Sequence, residues 1–395
     1  MPEPCLIYAA NNRLPTEKAH GLQIVQMCEA LADIGYAVTL VAPRRFNTPE
    51  MRTVCSLWEH YGVAQNFAFR RLWCLDLFPL FPRYRIAFLT QSITYLVRLL
   101  IWLLRRHVDV LYTRDLWIGA ALAVTHPRTT LVYEVHQVHS SWLGRRVQGF
   151  LARRAQVAAV TGHLADKMRA LGASRVLVAH DGFRAARFAD SPSRAQARAA
   201  LGIPAAAFVV GYVGRMHTME MPKGLDTLVE AVACAVETGA EIDLLLVGGP
   251  EASAAALRAQ WIARGLLPER LHAAGQVAPD AVPRHLAAMD VGVMPLPWTD
   301  HFAYYASALK LFEYMAAGCA VVASNLPSTA EVLRDEVSGL LVPPGDATAL
   351  AHALQRLHTD RHLGRRLGEQ ARSDVQQYTW SARAARIRAS VEGMP

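Results

Sequence analysis

The chain has 395 residues, 52% of them hydrophobic and 19% charged; a single core stops growing at roughly 250–300 residues, so two domains are expected. With 25 Gly and 21 Pro this balance excludes a coiled coil, a collagen-like repeat and a disordered acidic chain. Lys and Arg number 41 against 33 Asp and Glu, a formal charge of +8 that favours anionic partners: nucleic acid, a membrane face or a phosphorylated small molecule. The six cysteines, Cys5, Cys28, Cys55, Cys74, Cys234 and Cys319, form no Cys-x-x-Cys pair, so neither a disulfide framework nor a structural zinc site is expected. The opening MPEPCLIYAANN has no basic n-region, and no signal peptide is expected.

In chain order, residues 5–9 read as a first strand, 21–34 as a helix and 37–41 as a second strand. Residues 86–106, IAFLTQSITYLVRLLIWLLRR, are apolar but interrupted by Gln91, Ser92, Thr94 and Arg98, so a membrane span is disfavoured. The preferred reading is a long, largely buried helix. The alternative is an interfacial helix, with Arg83, Arg85, Arg98, Arg105 and Arg106 around Trp102. Runs at 108–112, 130–135, 157–160 and 175–179 are continuously apolar, as parallel strands covered on both faces require. A Ser- and Pro-containing break falls between Phe188 and Pro204, after which strand-like runs resume at 208–213, 242–247, 291–295, 320–323 and 340–342. This alternation predicts an α/β fold with two Rossmann-like doubly wound domains. The boundaries are 1–190, a linker at 191–205, 206–375, and a terminal helix in 376–395 expected to pack back on the N-terminal domain. Ligands in such sheets sit beyond the carboxyl ends of the strands, so the expected site is the cleft that the two domains face across.

The dinucleotide fingerprint is missing. Asn11-Asn12-Arg13-Leu14-Pro15 follows the first strand where Gly-x-Gly-x-x-Gly would stand, and nothing matches a P-loop. Phosphate-handling groups gather instead in the second half. Gly214-Arg215 ends a strand and Lys223-Gly224 follows eight residues later, so a planar fork and a point charge can meet one diphosphate. Two solvated loop cations are the alternative. Further on, Tyr304 to Gly318 reads as a loop, a short helix and a Gly stop, with Ser307 as N-cap and free amides after it that suit an anion. Glu313 lies in that helix as a structural acid or as an acceptor for two adjacent ribose hydroxyls.

These residues carry a resemblance. SALKLFEYMAAGCAVVAS, then Thr329-Ala-Glu331-Val and Ser338-Gly339 through Gly345-Asp346, resemble the donor domain of a retaining GT-B glycosyltransferase, family 4 in particular. Gly214-Arg215 with Lys223-Gly224 resembles that family's diphosphate clamp, and Leu246-Val-Gly248-Gly249 its next strand end. Ala274-Gly275-Gln-Val277 resembles the stretch lining the nucleobase. Leu131-Val-Tyr-Glu134-Val-His136 resembles the N-domain strand ending in an active-site His. Two positions depart from the pattern: the first Glu of the family's spaced pair falls on Tyr305, and Ser307-Ala308 replaces its usual Phe-Gly.

The resemblance implies a metal-independent enzyme that moves a sugar from a nucleotide-diphosphate sugar to an acceptor hydroxyl, with retention, in cell-surface glycan or glycolipid assembly. His136, Arg215 and Lys223 are the implied catalytic residues, His136 beside the transferred sugar. Gly21, Gly214, Arg215, Lys223, Gly248, Val277, Tyr305, Ser307, Ala308, Leu309, Lys310 and Glu313 are the implied donor-binding set. No cofactor or metal is expected, and His136 with His139 makes no recognised ligand set. The dispersed Arg pairs, dense in the first half, argue against a nucleic-acid reader and suit a lipid-linked acceptor and peripheral contact with anionic membrane. The expected location is cytoplasmic, on the inner membrane face. A non-catalytic nucleotide-sugar-binding subunit and a GT-B sugar-nucleotide epimerase are the competing readings.

Overall fold

The apolar runs of the first half assemble into one parallel sheet of β1 (Cys5–Ala9), β2 (Ala37–Arg44), β3 (Ala68–Trp73), β4 (Val110–Thr113), β5 (Thr130–Val135), β6 (Gln156–Ala159) and β7 (Val176–Val178). Their spatial order is β3-β2-β1-β4-β5-β6-β7. Cys5 pairs with Ala37 on one side of β1 and Leu6 with Val110 on the other, so the order reverses between β1 and β4. The second half repeats the plan with β8 (Val209–Val213), an antiparallel ribbon of β9 (His217–Thr218) and β10 (Met221–Pro222), then β11 (Asp243–Val247), β12 (Leu271–Gly275), β13 (Val291–Met294), β14 (Ala320–Ser324) and β15 (Leu340–Val342). Its parallel sheet runs β12-β11-β8-β13-β14-β15. The computed structural model describes residues 3–78, 80, 85–218, 220–307 and 309–393.

By contacts the chain divides into Met1–Asp181 with Trp380–Pro395, and Gly182–Thr379. The sheet of the second unit is buried on both faces, and the period of two decides which residue goes where. Val210 and Tyr212 of β8 join the core under the helix Leu225–Glu237. Val209 and Val213 join the opposite core, with Phe312 and Tyr314. Side-chain caps start the helices after several strands: Asp115, Ser141 and Thr161 each accept from a backbone N–H three residues on.

Two expectations change. Residues 191–205 are no linker: Ser193 and Gln196 form a capping box on the helix Arg194–Leu201, and Ala197 and Ile203 are buried in the second unit. The break in strand pattern marks a helix that packs, and the unit boundary falls at 181/182. The terminal helix Trp380–Glu392 lies in the first unit, packed on the helix Ala19–Asp33.

The second is the helix Arg85–Leu103, which is not largely buried. Only Ala87, Gln91, Tyr95, Leu99 and Leu103 face inward, a stripe at four-residue spacing. Ile86 is 63% exposed, Ile93 58% and Leu104 78%, and Leu89, Val97 and Ile101 continue the same outer ridge. The helix packs one narrow face on the sheet flank, which leaves the other apolar face without a partner among the described residues. Arg83 lies outside the described residues.

Candidate active site

In the second unit the order reverses between β8 and β13, the switch point where open α/β sheets bind ligands. The strand ends there are tied into one rim. Gly214 donates to Val247 O at 2.8 Å, Met216 to Gly249 O at 3.0 Å and Gly248 to Gly275 O at 2.7 Å. Gly248 has φ +122°, and a Cβ on it would stand 2.1 Å from Gly214 O. Gly224 has φ +72°, and a Cβ there would meet Pro295 O, just after β13, at 1.9 Å. Both glycines are required by close backbone approach at the rim.

Arg215 follows β8 and is exposed, while its carbonyl accepts from the Tyr212 hydroxyl at 2.7 Å. The expected loop to Lys223 is the β9–β10 ribbon, closed by Lys223 N–H to Met216 O at 3.2 Å. Burial, then the nearby Lys310 and Arg215 cations, push the Lys223 ammonium down to about 8. Arg215, Lys223 and Lys310, all three in the implied donor-binding set, therefore lie near one another in the second unit. Lys310, in the first turn of the helix Leu309–Ala317, donates to Glu313 Oε2 at 2.5 Å. Glu313 is buried, and its Oε1 lies 3.8 Å from Arg187 Nη1. The carboxylate is thus held by two cations, one of which, Arg187, carried no sequence signal. Burial and Lys223 also lower His301.

Tyr305 ends a π-helical turn, His301–Tyr305, and Ser307 lies between that turn and the helix carrying Lys310 and Glu313. Ala308 lies outside the described residues, as does the cap expected around it. Val277 follows β12 and packs half-buried against the core that contains Val213. Among the described residues no three His, Cys, Asp or Glu side chains are placed to hold a metal ion.

The first unit carries a second cluster at its own strand ends. His136, after β5, has Nε2 2.5 Å from Glu134 Oε1. Glu134 is buried; its Oε2 accepts from the Tyr112 hydroxyl and from Arg383 Nη2, the latter at 3.0 Å. Burial alone would raise the Glu134 carboxyl, but Arg383 and His136 outweigh it and hold it well below the ordinary carboxylate range. Glu134 is therefore the group that orients His136. Arg383 is 1% exposed and reaches this point from the terminal helix. Its signal was present: Trp380, Arg383, Ala384 and Ile387 make one buried stripe, with an Arg at a core position.

Gln23 donates to buried Asp181 at 2.6 Å, and burial raises the Asp181 carboxyl. Gly21 has a reason within its own unit: a Cβ would stand 2.4 Å from the Tyr61 hydroxyl and 2.5 Å from Thr16 Cγ2. Burial and then Arg114 and Lys18 lower the adjacent His20 to about 4, so its imidazole is neutral at pH 7.

Residues 207–360 match the family described as Glycosyl transferases group 1. The chain is 31% identical over 306 residues to the phosphatidyl-myo-inositol mannosyltransferase of Mycobacterium leprae (strain TN), covering 72% of this chain and 74% of that protein. It is 31% identical over 239 residues to the D-inositol 3-phosphate glycosyltransferase of Streptomyces bingchenggensis (strain BCW-1), covering 56% and 48%. In structure it resembles sucrose-phosphate synthase from Thermosynechococcus elongatus, with a TM-score of 0.74, 23% identity and 98% of each chain covered. It also resembles Anabaena HepE, solved in complex with UDP-glucose, with a TM-score of 0.70, 21% identity, and 99% and 100% covered. The chain belongs to the group 1 glycosyltransferases, family 4, and has their GT-B fold of two Rossmann-like units.

Proposed function

We propose that this glycosyltransferase takes its sugar from a nucleoside-diphosphate sugar and transfers it, with anomeric retention and without a metal, to an acceptor hydroxyl. The observation that carries the reading is the convergence of Arg215, Lys223 and Lys310 at the switch point of the second sheet. A departing diphosphate gathers negative charge as the sugar–phosphate bond breaks. Cations fixed before the reaction stabilise that charge without reorganising. Lys223 is held near 8 by burial and by like charges, so an incoming diphosphate relieves a repulsion already present.

In the proposed step the acceptor oxygen attacks the anomeric carbon from the face the diphosphate leaves. Its proton passes to a phosphate oxygen of the leaving group, so no protein base is invoked. We assign Glu313 to the ribose hydroxyls and His136, held by Glu134, to the transferred sugar. The names of the relatives support the reading: a mannosyltransferase acting on phosphatidyl-myo-inositol, and a fold neighbour solved with UDP-glucose.

A lipid-linked acceptor and a peripheral place on the cytoplasmic face of a membrane belong to the same proposal. Support comes from the outer ridge of the helix Arg85–Leu103, with exposed Ile86, Leu89, Ile93, Val97, Ile101 and Leu104. Arg85, Arg98, Arg105 and Arg106 are exposed around it, and Arg106 lies 4.0 Å over the Trp102 ring. An apolar ridge edged by arginines suits an anionic bilayer surface.

The test is a thermal-shift panel with UDP, GDP, ADP and NAD on the wild type and Arg215→Ala. A ligand at 100 times its Kd stabilises the fold by about 2.7 kcal/mol. One nucleoside diphosphate should raise the Tm in the wild type alone. A rise with NAD only, or none at all, would overturn the donor assignment. Flotation with anionic liposomes tests the membrane part: wild type should float at low salt, and Ile93→Glu/Val97→Glu should not.

A further inference from the structure

The second unit carries another basic site, at the amino end of the sheet, opposite the end that carries the diphosphate cations. A cavity of about 380 Å³ opens at the amino ends of the strands, beside Phe208 just before β8, Asp290 and Val291 at the start of β13, and Gly318 before β14. Arg215 and Lys223 stand past the carboxyl ends. A five-residue strand such as β8 spans roughly 16 Å, so one diphosphate cannot occupy both places. The volume falls in the range of small-molecule sites, about 300–1,000 Å³.

Its walls hold too much positive charge. Asp290 meets Arg194 at 3.1 Å, Arg198 at 2.6 Å and Arg361 at 3.6 Å, three guanidiniums on one carboxylate. Arg365 also lines the cavity and has no ion-pair partner among the described residues; Glu369 is the other acid in the lining. Four arginines thus face two carboxylates. Burial lowers the Arg361 guanidinium against the pull of Asp290, and Arg198 and Arg194 lower it further.

Helix stability does not explain this crowding. Arg194 and Arg361 are the first residues of the helices Arg194–Leu201 and Arg361–Asp374, the end of a helix dipole where a cation is unfavourable. The site is also stiff. Arg198 is 4% exposed and donates to Ala288 O at 2.9 Å and Ala205 O at 2.7 Å. The Arg361 guanidinium stacks 4.0 Å over the Phe208 ring. Planar forks held this way match phosphate oxygens, and Ala206, Ala207, Val291 and Leu357 offer apolar wall for an organic part.

We propose that this cavity binds a small phosphorylated metabolite of about the size of a sugar phosphate, its phosphate held by Arg361, Arg365 and Arg194. The assignment does not rest on the donor reading, because the two sets of residues are separate.

The test is calorimetric titration with glucose 6-phosphate, and with glucose and sodium sulfate in parallel, in an Arg215→Ala/Lys223→Ala background that removes the diphosphate cations. Glucose 6-phosphate should bind with about 1:1 stoichiometry and a Kd near or below 1 mM, more tightly than sulfate, and glucose should not bind. Adding Arg365→Gln, an exposed position, should leave the Tm unchanged and weaken binding roughly tenfold or more; Arg361→Gln should act in the same direction. No binding, binding equal to that of sulfate, or binding unaffected by both substitutions would overturn the proposal. UDP binding by the wild type is measured separately, so its failure is distinguishable from failure here.

Discussion

Arg383→Met is the sharpest test of the buried network around His136. The guanidinium donates to Glu134 Oε2 at 3.0 Å and to Ala179 O at 3.1 Å, and the Arg and Glu side chains are 1% and 4% exposed. Removing one member of a buried pair leaves an uncompensated charge and costs about 3–5 kcal/mol. In a unit of this size each kcal/mol moves the Tm by about 2–4 °C, so a drop of roughly 6–20 °C is expected. The pH dependence has a definite sign. In the wild type Glu134 is held below its ordinary value, so its contribution is present above about 4.5 and is lost as pH falls through the folded pKa. The variant carboxyl takes up its proton at higher pH, so the stability gap is widest near neutrality and narrows in acid. Urea unfolding from pH 7 to pH 4.5, with Arg383→Met/Glu134→Gln alongside, measures this. The double variant should recover part of the loss. A cost below about 1 kcal/mol, as for an exposed pair, or a gap that does not change with pH, would refute the reasoning.

Three further outcomes are expected. Gly224→Ala should cost about 1–3 kcal/mol and weaken nucleotide binding, because its Cβ would strike Pro295 O. Gly239→Ala, with φ +96° and nothing within 4 Å, should cost only the left-handed penalty of about 1 kcal/mol; equal urea midpoints for the two would sink the argument. UDP affinity should fall as pH rises past about 8, where Lys223 loses its charge, and Lys223→Arg should hold its affinity to higher pH; a flat wild-type profile by calorimetry contradicts the assignment. In the unliganded protein the sign for stability is opposite: with Lys223 depressed, the unfolded chain binds that proton more tightly, and this residue's contribution rises with pH from about 8 towards 10.5. His136→Ala should lower kcat about 10²-fold while leaving nucleotide-induced stabilisation intact, since His136 belongs to the first unit and the Arg215–Lys223 cluster to the second. Unchanged turnover would remove His136 from the reaction.

The sheets were legible because parallel strands buried on both faces must be continuously apolar, and β1, β5, β8 and β14 fall within a residue or so of their expected places. β3 was missed for the converse reason. It is an edge strand whose AFRRLW is mostly exposed and carries Arg70-Arg71, so no continuous apolar run marks it. The helix 85–103 was legible as a helix, but its burial was not. Hydropathy reports what a face can bury, while the neighbours present decide what it does bury.

Composition and periodicity were sufficient for two α/β units, since a continuous apolar run is a property of residues local in the chain; the donor-site roles of Arg215, Lys223, Glu313 and His136 came from motif order and its resemblance to the family, and stand as a proposal. The tertiary structure alone decided that Glu313 is shared by Lys310 and Arg187, and that Arg383 anchors Glu134 across 249 positions. The four arginines around Asp290 come from segments 194–198 and 361–365, a juxtaposition with no mark in either segment. Charge sums show how many cations a chain has. Only packing decides which of them must share one carboxylate and which are left to meet a ligand.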